Sequence, residues 1–179
     1  MNKMYDKVKK WLEQNAKPRQ MVHFERTAHW ARELRPDADE AMLIAALTHD
    51  IERVFSKRKH QKTEGNLHEP EYLKMHQEGG AQIVGEFLKD NGADDVMIER
   101  VKMMIVKHEE GGNDDQNVIM DADSISFFEN NVDHFVDDLM EVYGRENTKE
   151  KFSWMYDRMS SDRAKEIAKE WYDSAMKRV

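Results

Sequence analysis

The sequence AMLIAALTHD, residues 41–50, is the most informative stretch of this 179-residue chain. Its first seven residues are apolar all round, which predicts a central, buried helix. The helix leads into Thr48, His49 and Asp50, so a carboxylate follows directly on an apolar surface. Burying an ionised carboxylate costs on the order of several kcal/mol unless it is paired or bound to a metal. Asp50 therefore requires a partner, either a paired group or a metal.

Helical periodicity continues on both sides of this stretch, and no strand-period segment longer than a few residues appears. We expect an all-α fold, a single-domain helical bundle of about eight or nine helices. The domain is expected to span 1–179, with a motif-bearing core at about 20–130 and C-terminal helices at 131–179 packed on it. A polar loop is expected at about 55–69. The first helix is predicted to end before Pro18, the second to span 20–34, and the third to follow a cap at Asp37 or Asp39. The next two are predicted from Pro70 to Asn91 and from a cap at Asp94 or Asp95 to Gly111. The last four are predicted at 116–130, 132–143, 148–159 and 162–179.

The composition argues against several classes of protein. The chain carries a net charge of −8, and phosphate backbones are bound by basic surfaces, so a nucleic-acid polymer is not expected as a partner. The chain has no cysteine, which excludes disulfides, Cys-ligated zinc and a cysteine nucleophile. No apolar run approaches the ~20 residues of a membrane span, and no signal-peptide pattern is seen. We expect a cytoplasmic protein without a membrane partner.

Common catalytic motifs are missing from the sequence. There is no phosphate-binding loop, no dinucleotide-binding glycine pattern and no nucleophile elbow. The stretch that begins at His108 and Glu109 starts like a zinc-protease helix but lacks the second histidine four residues on.

What remains is a set of histidines and aspartates on apolar helix faces. A single inward histidine is more often a satisfied core residue than a ligand. Six such residues on five successive helices indicate a shared site, and imidazole with carboxylate suits Mn, Fe, Co, Ni or Zn. Helical phase alone does not decide between Asp121 and Asp123. The candidates are His23, His49, Asp50, His76, His108 and one of these two aspartates.

The order of these residues resembles the HD-domain superfamily of metal-dependent phosphohydrolases. The resemblance covers about residues 20–130. It rests on His23-x-x-Arg26-x-Ala28, on Ala45-Ala46-Leu47-Thr48-His49-Asp50-Ile51 and on Asp121-Ala122-Asp123. The stretches around His76-x-x-Gly79-Gly80-Ala81 and Val106-Lys107-His108-Glu109 add the two middle histidines found in the two-metal branch of the superfamily.

The resemblance implies a ligand set for one or two divalent transition metal ions. His23, His49, Asp50 and Asp123 would hold one metal, and Asp50 would bridge to a second. His76 and His108 would be the further ligands of that second metal. In the superfamily the second aspartate of the Asp-Ala-Asp unit is the ligand, so Asp123 is selected and Asp121 becomes a supporting or capping residue.

The sequence also departs from the superfamily. The frequent Gly-Lys after the His-Asp-Ile unit is here Glu52-Arg53, and the basic residue that often follows the last aspartate is Ser124. The second change makes a nucleoside triphosphate less expected as a substrate. The Gly-Tyr-Pro extension of cyclic-dinucleotide phosphodiesterases is absent after His108.

A basic run, Lys57-Arg58-Lys59-His60-Gln61-Lys62, follows the His-Asp doublet. It is interpreted either as a solvated charge run or as a loop that focuses an anionic substrate on the metal site. In the second interpretation Arg53, Lys57 and Arg58 bind the substrate phosphate. Asp50 and Glu52 are the candidate catalytic residues, with Glu52 as a proton donor or water-orienting base.

We therefore expect an enzyme, a phosphohydrolase in which a metal-activated hydroxide attacks a small phosphorylated metabolite or nucleotide. Two alternatives stay open. A di-iron oxygenase can use the same six ligands, and a regulatory module can keep the metals without turnover. Spacing does not distinguish among them, and neither substrate identity nor oligomeric state follows from the sequence.

Overall fold

A computed structural model describes residues 3–55 and 69–179, and within these ranges the protein is all-α, with no strand. None of the helices in the described ranges is both long and apolar enough to cross a lipid bilayer. A π-helical segment, Phe135–Leu139, lies between two short helices of the C-terminal part. The α-helices are α1 (Lys3–Asn15), α2 (Pro18–Leu34), α3 (Glu40–Thr48), α4 (Glu52–Phe55), α5 (Pro70–Asp90), α6 (Asp95–Ile105), α7 (Asp114–Asn130), α8 (Val132–His134), α9 (Met140–Tyr143), α10 (Arg145–Asp157) and α11 (Asp162–Met176).

Side-chain caps define where several helices begin. Asp39 accepts a hydrogen bond from the backbone N–H of Met42 at the start of α3, and Asp94 accepts one from Met97 at the start of α6. Of the caps left open by the sequence, these two are therefore the ones used. Helix α2 begins at Pro18, two residues earlier than predicted, because proline fits the first turn of a helix well.

Helix α3 lies at the centre of the bundle, where every residue from Ala41 to Thr48 is buried. It packs against α1, α2, α6 and α7, while α5 packs on α6. The buried apolar side chains of these helices form the first apolar cluster, to which α7 contributes Ile119 and Ala122. The all-round apolar pattern of α3 correctly predicted this central position.

A second apolar cluster joins the end of α7 to the C-terminal helices. Ile125, Phe127 and Phe128 of α7 pack with Phe152 of α10 and with Ala168 of α11. Helix α7 contacts both α10 and α11. The two apolar clusters therefore share one helix.

The structure corrects further expectations about the elements. The helix predicted at 132–143 is divided into α8 and α9 by the π-helical segment. The short helix α4 was not predicted. Helix α10 begins at Arg145 rather than at 148, after Gly144 with a φ of +85°. Helix α6 ends at Ile105, so His108 lies in the turn that follows the helix and not on its apolar face.

Candidate metal centre

Two of the candidate histidines sit at helix ends and are held by the backbone. His49 follows α3 and places Nδ1 2.9 Å from the carbonyl oxygen of Ala46. His108 follows α6 and places Nδ1 2.8 Å from the carbonyl oxygen of Ile105. Because a carbonyl oxygen only accepts hydrogen bonds, each Nδ1 must carry a proton. The Nε2 atom of each ring is therefore the one that faces the site.

Side chains hold Nδ1 of the other two histidines, so that their Nε2 atoms also face the site. The Ser126 hydroxyl donates to the carbonyl oxygen of His23 at 3.0 Å and lies 2.8 Å from Nδ1 of that ring, so it accepts from Nδ1. His76 places Nδ1 3.1 Å from Oε2 of Glu52. A carboxylate or hydroxyl at Nδ1 with Nε2 directed inward is the usual support of a metal-binding histidine.

Site 1 is formed by His23, His49, Asp50 and Asp123. Single ligand atoms of His23, His49 and Asp50 lie within 4.8 Å of one another. Oδ1 of Asp123 lies 3.1 Å from Nε2 of His23 and 3.3 Å from Nε2 of His49. Site 1 thus contains the four residues that the resemblance assigned to one metal.

Site 2 is formed by Asp50, His76, His108 and Glu109, whose ligand atoms lie within 4.8 Å of one another. Oδ1 of Asp50 lies 2.8 Å from Nε2 of His76 and 3.7 Å from Nε2 of His108. Asp50 is shared by both sites. Glu109 was not among the predicted ligands, although it directly follows His108 in the sequence.

Two of the four inward Nε2 atoms make no hydrogen bond within the described part of the chain, although each lies 3.3 to 3.7 Å from an aspartate oxygen. Nε2 of His49 and Nε2 of His108 have no hydrogen-bond partner among the described residues, and both side chains are fully buried. An unpartnered buried polar atom is costly in a folded protein. A metal ion would give both nitrogens a partner, so the residues present fit a bound metal.

Charge pairing keeps the carboxylates of the sites ionised. Burial alone would raise the pKa of Asp50 and Asp123, but nearby cations hold both pKa values well below the usual range. Arg53 is the main such cation for Asp50, and His49 for Asp123. Burial would lower the pKa of His49, whereas Asp123 raises it to about 9. A metal at site 1 must therefore displace a proton from His49.

Arg158, at the end of α10, is a site residue that the sequence analysis missed. Its guanidinium donates to Asp123, to Glu109 and, at 2.9 Å, to the hydroxyl of Ser124. Lys151 of α10, seven residues before Arg158, is also buried. Their spacing in the sequence could have indicated that both cations point inward. They lie seven residues apart, on the helix face that also carries the buried Thr148 and Met155.

The structure separates the two aspartates of the Asp-Ala-Asp unit. Asp123 contacts the histidines of site 1, whereas Asp121 accepts hydrogen bonds from the backbone N–H groups and hydroxyls of Ser160 and Ser161, at 2.6 to 3.1 Å. Asp121 thus ties α7 to the segment just after Arg158, which is the supporting position that the resemblance implied for it.

All six predicted metal ligands are brought together in the structure. The predicted catalytic residue Glu52 contacts Nδ1 of His76, on the side of the ring away from Asp50. Arg53 places Nε 3.1 Å from Oδ1 of Asp50 and Nη2 3.5 Å from Oε1 of Glu109. The predicted substrate-binding residues Lys57 and Arg58 lie outside the described residues.

The fold and the site define an all-α protein with buried histidine–carboxylate clusters that could bind a metal. The chain belongs to the family described as "Domain of unknown function (DUF4202)", whose model matches residues 2–178. No curated protein and no solved structure matches the chain.

Proposed function

We propose that this protein is a metal-dependent phosphohydrolase of the HD-domain type, acting on a small phosphorylated metabolite or nucleotide. The observation that carries the proposal is the convergence of four imidazole Nε2 atoms on the carboxylates of Asp50 and Asp123. A cytoplasmic location and the absence of a nucleic-acid polymer or membrane partner are part of this proposal.

In this proposal both sites take a divalent transition metal from the series Mn, Fe, Co, Ni and Zn. Site 1 holds one ion, and site 2 holds a second when both are filled. A bound metal pair supplies a hydroxide at neutral pH and neutralises charge on phosphoryl oxygens. Glu109 gives site 2 a second carboxylate, which favours its occupation over a site with two histidines and Asp50 alone.

The residues around the sites have separate roles. Asp50 is shared by site 1 and site 2 and therefore sets their relative position. Glu52 contacts Nδ1 of His76, which supports a role in orienting that ring. Its further role as a proton donor stays a prediction. Arg53 keeps the Asp50 carboxylate ionised and brings a positive charge to the site.

The charges favour a phosphate ester over a neutral substrate. Arg53 and Arg158 lie against the carboxylates of both sites, and fixed cations stabilise charge that develops on phosphoryl oxygens. The basic run at residues 57–62 adds further positive charge in the sequence. An oxygenase that acts on a neutral polyol offers no anionic group to these cations, whereas one that acts on an aminophosphonate does, so the charges favour a phosphorylated or phosphonate substrate over a neutral one.

Metal analysis and turnover test the proposal together. Protein purified without chelator is expected to contain a divalent transition metal by elemental analysis. A panel of small phosphoesters incubated anaerobically with Mn²⁺, Co²⁺, Ni²⁺ or Mg²⁺ is expected to release inorganic phosphate. Activity that requires iron and consumes oxygen would instead identify a di-iron oxygenase. Bound metal without either activity would favour a regulatory module.

A further inference from the structure

We propose that Arg158 and Lys151 of the C-terminal part are the phosphate-binding pair of this centre, and that the substrate is a phosphate monoester dianion. The inference rests on the proposed phosphohydrolase function and adds to it. Neither residue belongs to the stretch, residues 20–130, that carries the metal ligands.

The contacts of Arg158 place its guanidinium beside both sites. Nη2 contacts Oδ2 of Asp123, whose Oδ1 faces the histidines of site 1. Nη1 contacts Oε2 of Glu109, whose Oε1 lies 3.8 Å from Nε2 of His108 in site 2. Each carboxylate thus directs one oxygen to imidazole and the other to Arg158. Hydrogen bonds to Ser124, Glu109 and Asp123 fix the plane of the guanidinium, and the second N–H of Nη2 has no acceptor among the described residues, so it is left to donate to a phosphate oxygen.

Lys151 is a buried cation without a carboxylate partner. Only 8% of the residue is exposed, and no carboxylate in the described ranges lies within 4.0 Å of its ammonium. Its charge interacts electrostatically with Glu109, Arg158, Arg53 and Asp123, which are groups of the centre. A buried lysine is costly unless an anion compensates it, so Lys151 indicates that a ligand anion binds here.

Trp154 supports both cations from α10. Lys151 Nζ lies 4.4 Å and the Arg158 guanidinium carbon 4.5 Å from the centroid of its ring. Such cation–π contacts hold the two side chains in place without neutralising their charge. The pair is therefore prearranged, which lowers the entropic cost of binding an anion.

Bound metal would make the centre positive and so favour an anion. Among the described residues, and with the histidines neutral as metal ligands, the carboxylates of Asp50, Glu52, Glu109 and Asp123 outnumber the cations Arg53, Lys151 and Arg158 by one. Two divalent ions convert this deficit into a surplus of three positive charges. A phosphate monoester dianion would remove most of that surplus.

An open groove gives Arg158 access to solvent. It has a volume of about 610 Å³, and its wall includes Arg158, Trp154 and Lys149 together with Glu146, Glu150 and Asp157. Among the described residues, the candidate metal ligands and Lys151 do not line this groove, so it provides a route from solvent to Arg158 alone.

Calorimetric titration of the Mn²⁺-loaded protein with inorganic phosphate tests the assignment without relying on turnover. We expect the Arg158→Gln variant to bind phosphate roughly tenfold to a hundredfold more weakly, the range for loss of a charged hydrogen-bonding pair. Lys151→Met is expected to weaken binding about tenfold. Because Arg158 also contacts a carboxylate of each site, every variant is first loaded to the same Mn²⁺ content, checked by elemental analysis, before phosphate is titrated. Arg178→Gln is the matched control, because Arg178 also pairs with two carboxylates, those of Asp133 and Asp137, and neither belongs to the centre.

Arg158→Lys is included in case Arg158→Gln fails to fold, since lysine keeps the buried positive charge. It should fold with normal metal content and bind phosphate with intermediate affinity. Equal phosphate affinity in wild type, Arg158→Lys and Arg158→Gln would overturn the inference, even if phosphoester hydrolysis is found. Arg158-dependent phosphate binding without hydrolysis of any ester would support the anion site and count against the proposed enzyme function.

Discussion

Asp121 and Asp123 are two residues apart on α7 but contact different groups, serines in the case of Asp121 and histidines of site 1 in the case of Asp123. We predict that Asp123→Asn reduces bound metal to less than about a tenth, because it removes a ligand of site 1. Asp121→Asn should keep its metal and lose about 1–3 kcal/mol of folding free energy, since it weakens charged hydrogen bonds to Ser160 and Ser161. Elemental analysis and urea denaturation of both variants distinguish the two effects. Loss of metal in Asp121→Asn alone would reverse the assignment.

The pairing of His49 with Asp123 makes the metal-free protein sensitive to pH. The pKa of His49 is raised from 6.5 to about 9 in the folded chain, so the folded state binds more protons than the unfolded state between these values. The free energy of unfolding must therefore fall as pH rises from 6.5. His76, whose pKa is also raised, acts in the same direction. Burial lowers the pKa of His108, so its effect on the free energy of unfolding falls below pH 6.5.

We expect the free energy of unfolding of the metal-free protein to fall by on the order of 1 kcal/mol between pH 6.5 and 8. Urea denaturation with a chelator present measures this fall. The window stops at pH 8 because burial lowers the pKa of Lys151 to about 8, and that titration has the opposite sign. A His49→Gln variant should show a flatter pH dependence. Stability that is constant or rises over this range in the wild type would contradict the paired state of His49.

At the scale of elements, the turn after α6 carries His108 and Glu109 and closes at Gly111. This glycine has a φ of +71°, and a Cβ there would lie 2.5 Å from Oδ1 of Asn117. We predict that Gly111→Ala costs about 1–3 kcal/mol of stability and weakens metal binding at site 2. Calorimetric melting and metal titration measure the two effects.

Gly92 provides the matched control for this prediction. Its φ is +82°, and a Cβ there would meet nothing within 4 Å. Gly92→Ala should therefore cost only about 1 kcal/mol, for the left-handed backbone, with normal metal binding. Equal effects of the two substitutions would show that crowding at Gly111 does not matter.

Most of the helices and the inward positions of the histidines were predictable from the sequence because their signals are local, whereas the choice of Asp123 over Asp121 came from the resemblance. Asp39 and Asp94 cap helices from adjacent positions, and His23 and His76 lie on faces that periodicity defines. His108 was placed on the wrong element because the α6 pattern continues into a turn of similar spacing.

The basic side of the centre was not predictable in the same way. Arg158 reaches Asp123 across 35 residues of sequence, and nothing near either residue encodes that contact. It depends on how α10 packs against α7, which the second apolar cluster determines. Ser124 illustrates the point, because the basic residue expected there is absent from the sequence position. Arg158 supplies a positive charge at that place in space and donates a hydrogen bond to Ser124.

At the scale of the whole molecule, the first and second apolar clusters both depend on α7. Ile119 and Ala122 belong to one cluster, and Ile125 and Phe128 to the other, one helical turn further along. Trp30 and Leu34 of α2 pack against both clusters. A helix that is shared in this way cannot leave one cluster without disturbing the other.

The shared helix has a calorimetric consequence. Heat should melt the two clusters together, so the calorimetric enthalpy of the chelator-treated protein should equal its van 't Hoff enthalpy, with a ratio of about one. Asp123 lies on α7 between the residues of the two clusters, so metal bound there should raise the midpoint of a single transition and not split it. Two resolved heat-capacity peaks would mean that the C-terminal helices melt as a separate cooperative unit.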